Sequence, residues 1–279
     1  MKLVHTLLFM LRQNHEPEDI KLAVNCLTSL VKSTSKTVVI YNQGSMSNVV
    51  LQAFVAPFGL DCHIIGDGAN VGTVLGRRKC LEYIWETLPD TQYISEVHLD
   101  MLFPPNWEDK LVEYLENNDE PVISSGIIDS KGKMPFLNKT AVLPDPIGQC
   151  GDFLVTLQTD RILEGFTNPC IHKSEILRAT EGYNPKFLKG RQCFEDDSML
   201  LGYYYYYGTR RCWHPKINYN TVVYHAVAGQ RLGVWDNIAV NYAGLVKQYG
   251  VMGLKALSTL HTSEWHKKFF MEHYKENIK

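Results

Sequence analysis

The chain has 279 residues and a formal net charge of −2 at pH 7, so it is long enough to bury a substantial core and too weakly charged for its main affinity to be for phosphate backbones. Its seven cysteines are scattered, odd in number and without a Cys-x-x-Cys pair, which argues against a disulfide framework and a zinc ribbon. We therefore expect a reducing, cytoplasmic location, and no stretch of the sequence is long and apolar enough to predict a membrane span.

Strands and helices alternate through the first 125 residues. Apolar runs predict strands, and apolar residues three and four positions apart predict the helices between them. The predicted strands cover residues 3–10, 37–41, 61–65, 93–99 and 121–125, and the predicted helices cover 18–32, 47–54, 72–88 and 106–115. This alternation predicts right-handed crossovers and a mostly parallel sheet covered on both faces, with ligands at the carboxyl ends of the strands.

The alternation fades after residue 129. Residues 129–165 contain proline and glycine without a clear period, so we predict irregular or antiparallel structure there. Beyond them the pattern predicts helices over 176–182 and 196–207, a last strand over 221–224 and helical structure over 237–279. The basic tail over 265–279 leaves two interpretations open: docking on a membrane surface, or packing on the domain or on a second subunit.

Three consecutive carboxylates, Glu195-Asp196-Asp197, stand where the helix over 196–207 begins. Adjacent acids repel one another, and the free N–H groups and the macrodipole at a helix N-terminus lower that cost. The cluster is therefore either a structural cap or a catalytic base. Taken alone, the cap is the better supported of the two, because acid clusters are only probabilistic markers of a site.

Asp100 and His225 change that balance, since each follows an apolar strand. Both should emerge at the carboxyl edge of the sheet, where a carboxylate and an imidazole suit a divalent metal with open positions for phosphate oxygens. Each residue also has an ordinary alternative: Asp100 as a turn or cap residue, and His225 as a satisfied histidine at a strand end.

The segment over 67–78 joins the third strand to the third helix and contains Gly68, Asn70 and Gly72. Such glycines allow close backbone approach and leave N–H groups for an anion. The segment is not a Walker loop, because no Gly-Lys-Ser/Thr follows. Arg77 lies about one and a half turns into the helix, where it could reach a diphosphate or remain a solvated arginine.

The order of these motifs resembles the family-2 glycosyltransferases of the GT-A fold, over about residues 3–250. Residues 38–45, Val-Val-Ile-Tyr-Asn-Gln-Gly-Ser, are similar to the family's strand that ends in Asp-Asn-Gly-Ser. Four further matches follow in the family's order: Asn70-x-Gly72 with Arg77, His98-Leu99-Asp100 in the place of the Asp-x-Asp metal motif, residues 168–185 on the acceptor side, and the acid cluster followed by His225.

The resemblance implies an α/β fold of the GT-A type, a mostly parallel, Rossmann-like central sheet flanked by helices, with a helical C-terminal extension. It also implies a glycosyltransferase domain over residues 1–234 and an extension over 235–279. The nucleotide-sugar half of the domain would cover about 1–129 and the acceptor and catalytic half about 130–234.

The implied activity is a metal-dependent, inverting transfer of a hexose from a nucleotide diphosphate-sugar, a UDP-sugar first among them, to an acceptor hydroxyl. Asp100 and His225 would hold Mn²⁺ or Mg²⁺. Asp196 would be the base in either alignment of the acid cluster, with Asp197 or Glu195 as the alternate. Donor contacts would come from Asn42, Gly68, Asn70, Gly72, Arg77, His98 and Arg231, the last in a segment, 229–231, that would close over the donor as a lid.

Two departures from the family pattern limit these inferences. Tyr41 or Asn42 replaces the aspartate that holds the nucleoside, and His98 replaces the first aspartate of Asp-x-Asp. A nucleotidyltransferase and a non-catalytic sugar- or nucleotide-binding relative are the competing functions; the former is disfavoured because residues 10–15 lack a glycine. The acceptor stays open among a glycan, a lipid-linked carrier, a protein and a modified nucleic-acid base, and a homodimer is equally open.

Overall fold

The computed structural model describes residues 2–226 and 235–278. The strands are β1 (Leu3–Phe9), β2 (Thr37–Asn42), β3 (Asp61–Ile65), β4 (Tyr93–Val97), β5 (Met101–Leu102), β6 (Val122–Ile128), β7 (Lys133–Met134), β8 (Lys139–Thr140), β9 (Ile162–Glu164), β10 (Cys170–Lys173) and β11 (Lys216–His225). The helices are α1 (Glu16–Leu30), α2 (Asn48–Val55), α3 (Gly72–Thr87), α4 (Asp109–Asn117), α5 (Gly151–Thr156), α6 (Ser174–Ala179), α7 (Glu195–Tyr207), α8 (Trp235–Leu260) and α9 (Glu264–Asn277).

The central sheet is mixed but mainly parallel. Its strands follow the order β3-β2-β1-β4-β10-β6-β11-β5, and β9 pairs with β11. The neighbours among β1 to β4 pair in parallel, as do β6 and β11, whereas β10 lies antiparallel between β4 and β6. The predicted α/β fold, with a mostly parallel central sheet between helices, is confirmed.

The observed elements follow the sequence pattern most closely in the first half of the chain. β3 has the predicted bounds, and β1, β2 and β4 end within two residues of theirs. α4 begins at Asp109 rather than at residue 106, because Asn106 adopts a left-handed φ of 52° that cannot continue a helix. Residues 129–165 contain the short β7–β8 hairpin, α5 and β9.

The C-terminal helices share a hydrophobic core with the sheet and with α3 and α7. One buried cluster joins Leu81 of α3, Leu200 of α7, Leu257 of α8 and Phe270 of α9. Full burial of such a side chain stabilises the fold by roughly 1.5–3 kcal/mol. This packing confirms the predicted helical C-terminal end and brings it against α7, whose first turn carries the acid cluster.

Within residues 2–226 and 235–278, no helix combines the length and the hydropathy needed to cross a bilayer. Contact of the C-terminal helices with a membrane surface stays a prediction.

Candidate active site

A pairing of two short segments brings Asp100 and His225 together. β4 ends at Val97, and the chain turns through residues 98–100 into β5, which lies antiparallel to the end of β11 with Met101 opposite His225. The N–H of Ala226 donates to the Asp100 carbonyl at 3.0 Å. As a result, His225 Nε2 lies 3.4 Å from Asp100 Oδ1.

His98 completes this cluster, because its ring lies against that of His225 with the centroids 5.3 Å apart. One ligand atom each of His98, Asp100 and His225 lies within 4.8 Å of the others. The three side chains are buried or half-buried. The spacing is that of groups able to share a single ion.

The protonation states suit a cation. Burial, together with the charges of Arg77 and His225, lowers the pKa of His98 to about 3, so this imidazole is neutral near pH 7. Burial favours the neutral form of Asp100, but the hydrogen bond and charge of His225 and the charge of His98 outweigh it and hold the pKa of Asp100 below its usual range. An ionised carboxylate and a neutral imidazole are the forms that coordinate a divalent ion.

Asn168 fixes the orientation of the His225 ring through a hydrogen bond with its Nδ1. The Nδ1–H of His225 donates to the Asn168 carbonyl oxygen at 3.1 Å, which leaves Nε2 to face Asp100. Histidine ligands in metal sites are commonly fixed by such a bond on the second ring nitrogen. Two imidazoles and one carboxylate with a fixed ring orientation therefore fit a first-row divalent ion such as Mn²⁺.

The acid cluster lies at the start of α7, and its carboxylates take different directions. Cys193 and Phe194 precede it with φ angles of 81° and 62°, a left-handed turn that leads into the helix. Asp197 Oδ1 accepts from His261 Nε2 at 2.7 Å. Asp196 Oδ2 accepts from the side-chain amide of Asn168 at 3.5 Å, and so faces the residue that also holds His225.

The surroundings of Asp196 disturb the ionisation of its carboxyl group. Burial raises the pKa of Asp196 well above its ordinary value, and the charges of Glu195, Glu96 and Asp197 raise it further. A carboxyl with a raised pKa holds a proton more readily near neutral pH, which is what a general base requires.

Arg77 lies beneath the candidate metal cluster rather than at the surface. Its side chain is buried, and its guanidinium donates to the carbonyls of Thr6 and Val97 at 2.9 and 3.0 Å. Its Nε lies 3.6 Å from Glu96 Oε2, which also accepts from the Tyr183 hydroxyl at 2.6 Å. This buried network supports the end of β4, from which His98 and Asp100 continue.

The predicted donor loops are held by their own side chains. Asn42 is fully buried; its amide nitrogen donates to the Met46 carbonyl at 2.8 Å and its oxygen accepts from the Gly44 N–H at 3.0 Å. Asn70 Oδ1 accepts from the Gly72 N–H at 3.0 Å, which shapes the turn into α3.

Close backbone approach explains two glycines in these loops. Gly44 has a φ of 92°, and a Cβ there would lie 2.0 Å from the Gly68 carbonyl oxygen. Gly72 has a φ of 81°, and a Cβ there would lie 2.5 Å from the Cα of Arg191. Arg231 and the predicted lid over 229–231 lie outside the described residues.

Comparison with known proteins adds structural neighbours. The chain matches no protein-family model, and no curated protein sequence matches it. The structure of S. aureus TarS matches with a TM-score of 0.57 and 11% sequence identity, over 98% of this chain and 43% of TarS. The structure of S. aureus TarS 1–349 in complex with UDP-GlcNAc matches with a TM-score of 0.56 and 11% identity, over 98% of this chain and 71% of that one. The complex of TarS 1–349 with UDP matches with a TM-score of 0.53 and 11% identity, over 93% of this chain and 80% of that one.

TarS is a family-2 GT-A glycosyltransferase. The present chain has the GT-A fold. The resemblance predicted from the motifs is thereby confirmed at the level of the fold. The chain spans less than half of the length of full TarS.

Two residues of this GT-A fold were not singled out in the sequence as parts of the site. Asn168 touches both His225 and Asp196, and its only sequence signal is an Asn-Pro pair in a segment matched to the acceptor side. His261 lies between α8 and α9, where nothing in the sequence marks a contact with Asp197.

Proposed function

We propose that this protein is a metal-dependent, inverting glycosyltransferase that moves a sugar from a UDP-sugar to an acceptor hydroxyl. The convergence of His98, Asp100 and His225 beyond the end of β4, with Asp196 facing the same Asn168, is the observation that carries the proposal. The UDP-GlcNAc and UDP complexes of the structural neighbours support a uridine diphosphate donor.

On the donor side, His98, Asp100 and His225 would hold Mn²⁺ or Mg²⁺. A divalent ion there would neutralise charge on the departing diphosphate and lower the barrier by several kcal/mol. Gly68 and Asn70 would offer backbone N–H groups from the loop before α3, and Gly72, whose own N–H donates to Asn70 Oδ1, would shape that loop. Arg77, bonded to the Val97 carbonyl, would keep the end of β4 in place below the diphosphate, and Asn42 would shape the loop against the nucleoside.

On the acceptor side, Asp196 would take the proton from the attacking hydroxyl, a contribution of about 10²- to 10⁴-fold. Two observations favour Asp196 over Asp197: Asp197 is bonded to His261, and Asp196 faces Asn168. A single base opposite the leaving group supports direct displacement with inversion. The anomeric configuration of the product, read by NMR, tests that part.

The whole proposal is tested by a hydrolysis screen over UDP-, GDP- and dTDP-sugars with Mn²⁺, repeated on Asp100→Ala and Asp196→Ala. Asp90→Ala is the matched control, because Asp90 is an exposed carboxylate ahead of β4, at the end of that strand opposite to Asp100. We expect nucleoside diphosphate release by the wild type and the control, and its loss in both site variants with folding intact. Nucleotide binding without release in the wild type would indicate a non-catalytic relative, and full activity of Asp100→Ala would refute the metal site.

A further inference from the structure

The C-terminal helices reach the acid cluster through one histidine. His261 directly follows α8, and its N–H donates to the Leu257 carbonyl at 3.1 Å, which continues the last turn. Its Nε2 donates to Asp197 Oδ1 at 2.7 Å. The two side chains are only 20% and 15% exposed, so water competes weakly for this bond.

Aromatic neighbours fix the His261 ring before any substrate arrives. His266 stacks on it with a centroid distance of 4.7 Å and an angle of 12°. Phe270, itself fully buried, stacks at 5.3 Å and 15°. Because packing already restricts the ring, little conformational entropy is lost when it bonds Asp197.

The charges around His261 come from two elements. α7 contributes Asp197, with Glu195 and Asp196 beside it, and α9 contributes His266. Burial, and then the charge of His261, lowers the pKa of His266. Among these groups, Asp197 is the one that His261 bonds directly.

Asp196 and Asp197 are adjacent in the chain, yet their carboxylates have different hydrogen-bond partners. A hydrogen bond from His261 holds Asp197 on the side of the C-terminal helices, whereas Asp196 accepts from Asn168 on the side of His225. Without that bond, both carboxylates would be able to turn toward the acceptor, and their repulsion would add to the cost of ionising either one.

We propose that His261 is a positioning residue for sugar transfer: it holds Asp197 away from the acceptor, so that Asp196 serves as the base and the C-terminal helices form part of the catalytic site. The inference rests on the proposed transferase function. It assigns α8 and α9 a role in catalysis in addition to their packing.

The test compares His261→Phe, which keeps a stacking ring and removes the donor, with His266→Phe, which keeps the stack and does not touch Asp197. We would measure the rate of UDP release from the UDP-sugar found in the screen and the pH dependence of that rate. The affinity for UDP in the presence of Mn²⁺ would be measured by calorimetry. We expect His261→Phe to lower kcat about 10- to 100-fold, part of the range of a general base, with UDP affinity unchanged. The His266→Phe control should stay near the wild-type rate.

The pH profile separates this role from simple packing. In His261→Phe the unpaired charge of Asp197 raises the pKa of Asp196 further, so the acidic limb of the profile should move to higher pH. Adding Asp197→Asn removes that charge and should return the limb toward its wild-type position. His261→Gln, which retains an N–H donor, should recover part of kcat.

The outcomes that overturn the inference are distinct from those that overturn the function. An active wild type with His261→Phe at the same rate and the same pH profile overturns the inference alone, as does a lower rate with UDP affinity lost in parallel. A wild type that releases no nucleoside diphosphate from any donor overturns the proposed function and the inference with it.

Discussion

Replacement of Glu96 by glutamine should destabilise the fold and also change the pH profile of the proposed transferase activity. Glu96 is buried, and its carboxylate has three partners: the Arg77 Nε at 3.6 Å, the His172 Nε2 at 3.3 Å and the Tyr183 hydroxyl at 2.6 Å. Burial favours the neutral acid, but the charge of Arg77 and the bond from His172 outweigh it and lower the pKa of Glu96 from 4.5 to about 2.

The size of the effect follows from these contacts. The gap between 4.5 and about 2 corresponds to about 3 kcal/mol, at about 1.36 kcal/mol for each pH unit. Breaking a buried ion pair by removal of one partner costs about 3–5 kcal/mol, because the other charge is left uncompensated. Since the folded-state pKa is lowered, this stability is present above pH 4.5 and is lost as the pH falls toward about 2.

The assay is equilibrium unfolding in urea at neutral pH, with Glu82→Gln as the matched control. Glu82 pairs with Arg78 and Lys79 at the surface, where such pairs contribute about 0–1 kcal/mol. We expect Glu96→Gln to lose at least about 3 kcal/mol of unfolding free energy and the control less than about 1. A loss below about 1 kcal/mol for Glu96→Gln would refute the assignment of an ionised, paired Glu96.

The same substitution has a catalytic consequence. The charge of Glu96 is one of the causes that raise the pKa of Asp196. Its removal should therefore shift the acidic limb of the pH profile to lower pH, opposite to the shift expected for His261→Phe. If the acidic limb of the pH profile does not shift in a folded Glu96→Gln variant, the charge of Glu96 does not affect the pKa of the base.

Three further predictions concern the metal, the base and the donor loop. Mn²⁺ should support faster turnover than Mg²⁺, because the cluster adds the imidazole of His98 to the carboxylate of Asp100, whereas Mg²⁺ prefers oxygen ligands. His98→Asp should bring the turnover rates with the two ions closer together. Equal rates of the wild type with both ions would contradict this prediction. Asp196→Asn should lower turnover by about 10²- to 10⁴-fold, and the wild-type rate should rise with pH because burial raises the pKa of Asp196; a rate independent of pH would argue against this base. Gly44→Ala should lower the thermal midpoint and weaken UDP binding more than Gly59→Ala does. A Cβ at Gly44 would lie 2.0 Å from a backbone oxygen, whereas Gly59 also has a positive φ but nothing within 4 Å. Similar thermal midpoints and UDP affinities for the two variants would contradict the steric argument.

The part of the fold that could be predicted is the part with a local signal. Apolar runs marked β1 to β4 closely, because parallel strands buried on both faces are nearly continuous in apolar residues. β10 has no such signal: its four residues are Cys-Ile-His-Lys, and the polar His172 is buried where its Nδ1 is hydrogen-bonded to the Tyr203 hydroxyl at 2.8 Å. β11 begins at Lys216, five residues before its predicted start, and an irregularity between Asn218 and Val222 interrupts the apolar pattern.

The candidate site likewise contains residues that a local sequence signal predicts and residues that only the packing brings together. Asp100 and His225 could be placed together because both follow apolar strands, and the carboxyl ends of such strands meet at one edge of a sheet. The bond between Asp197 and His261 joins the first turn of α7 to a residue that directly follows α8, 64 positions away. Helix periodicity does not specify which face of one helix meets the end of another. The choice between Asp196 and Asp197 as the base therefore became possible only when the packing of the C-terminal helices was known.

The register of β5, the shortest strand of the central sheet, determines whether the candidate metal site exists. β5 has only two residues, and it pairs Met101 with His225 and Leu102 with Tyr224. Because side chains alternate between the faces of a sheet, a slip of one residue would turn His225 away from Asp100. Two features oppose that slip: the bond from the Ala226 N–H to the Asp100 carbonyl, and the full burial of Met101 among apolar neighbours. Met101 thus acts through register, and substitution of this apolar residue by a charged one should weaken metal binding although it contributes no ligand.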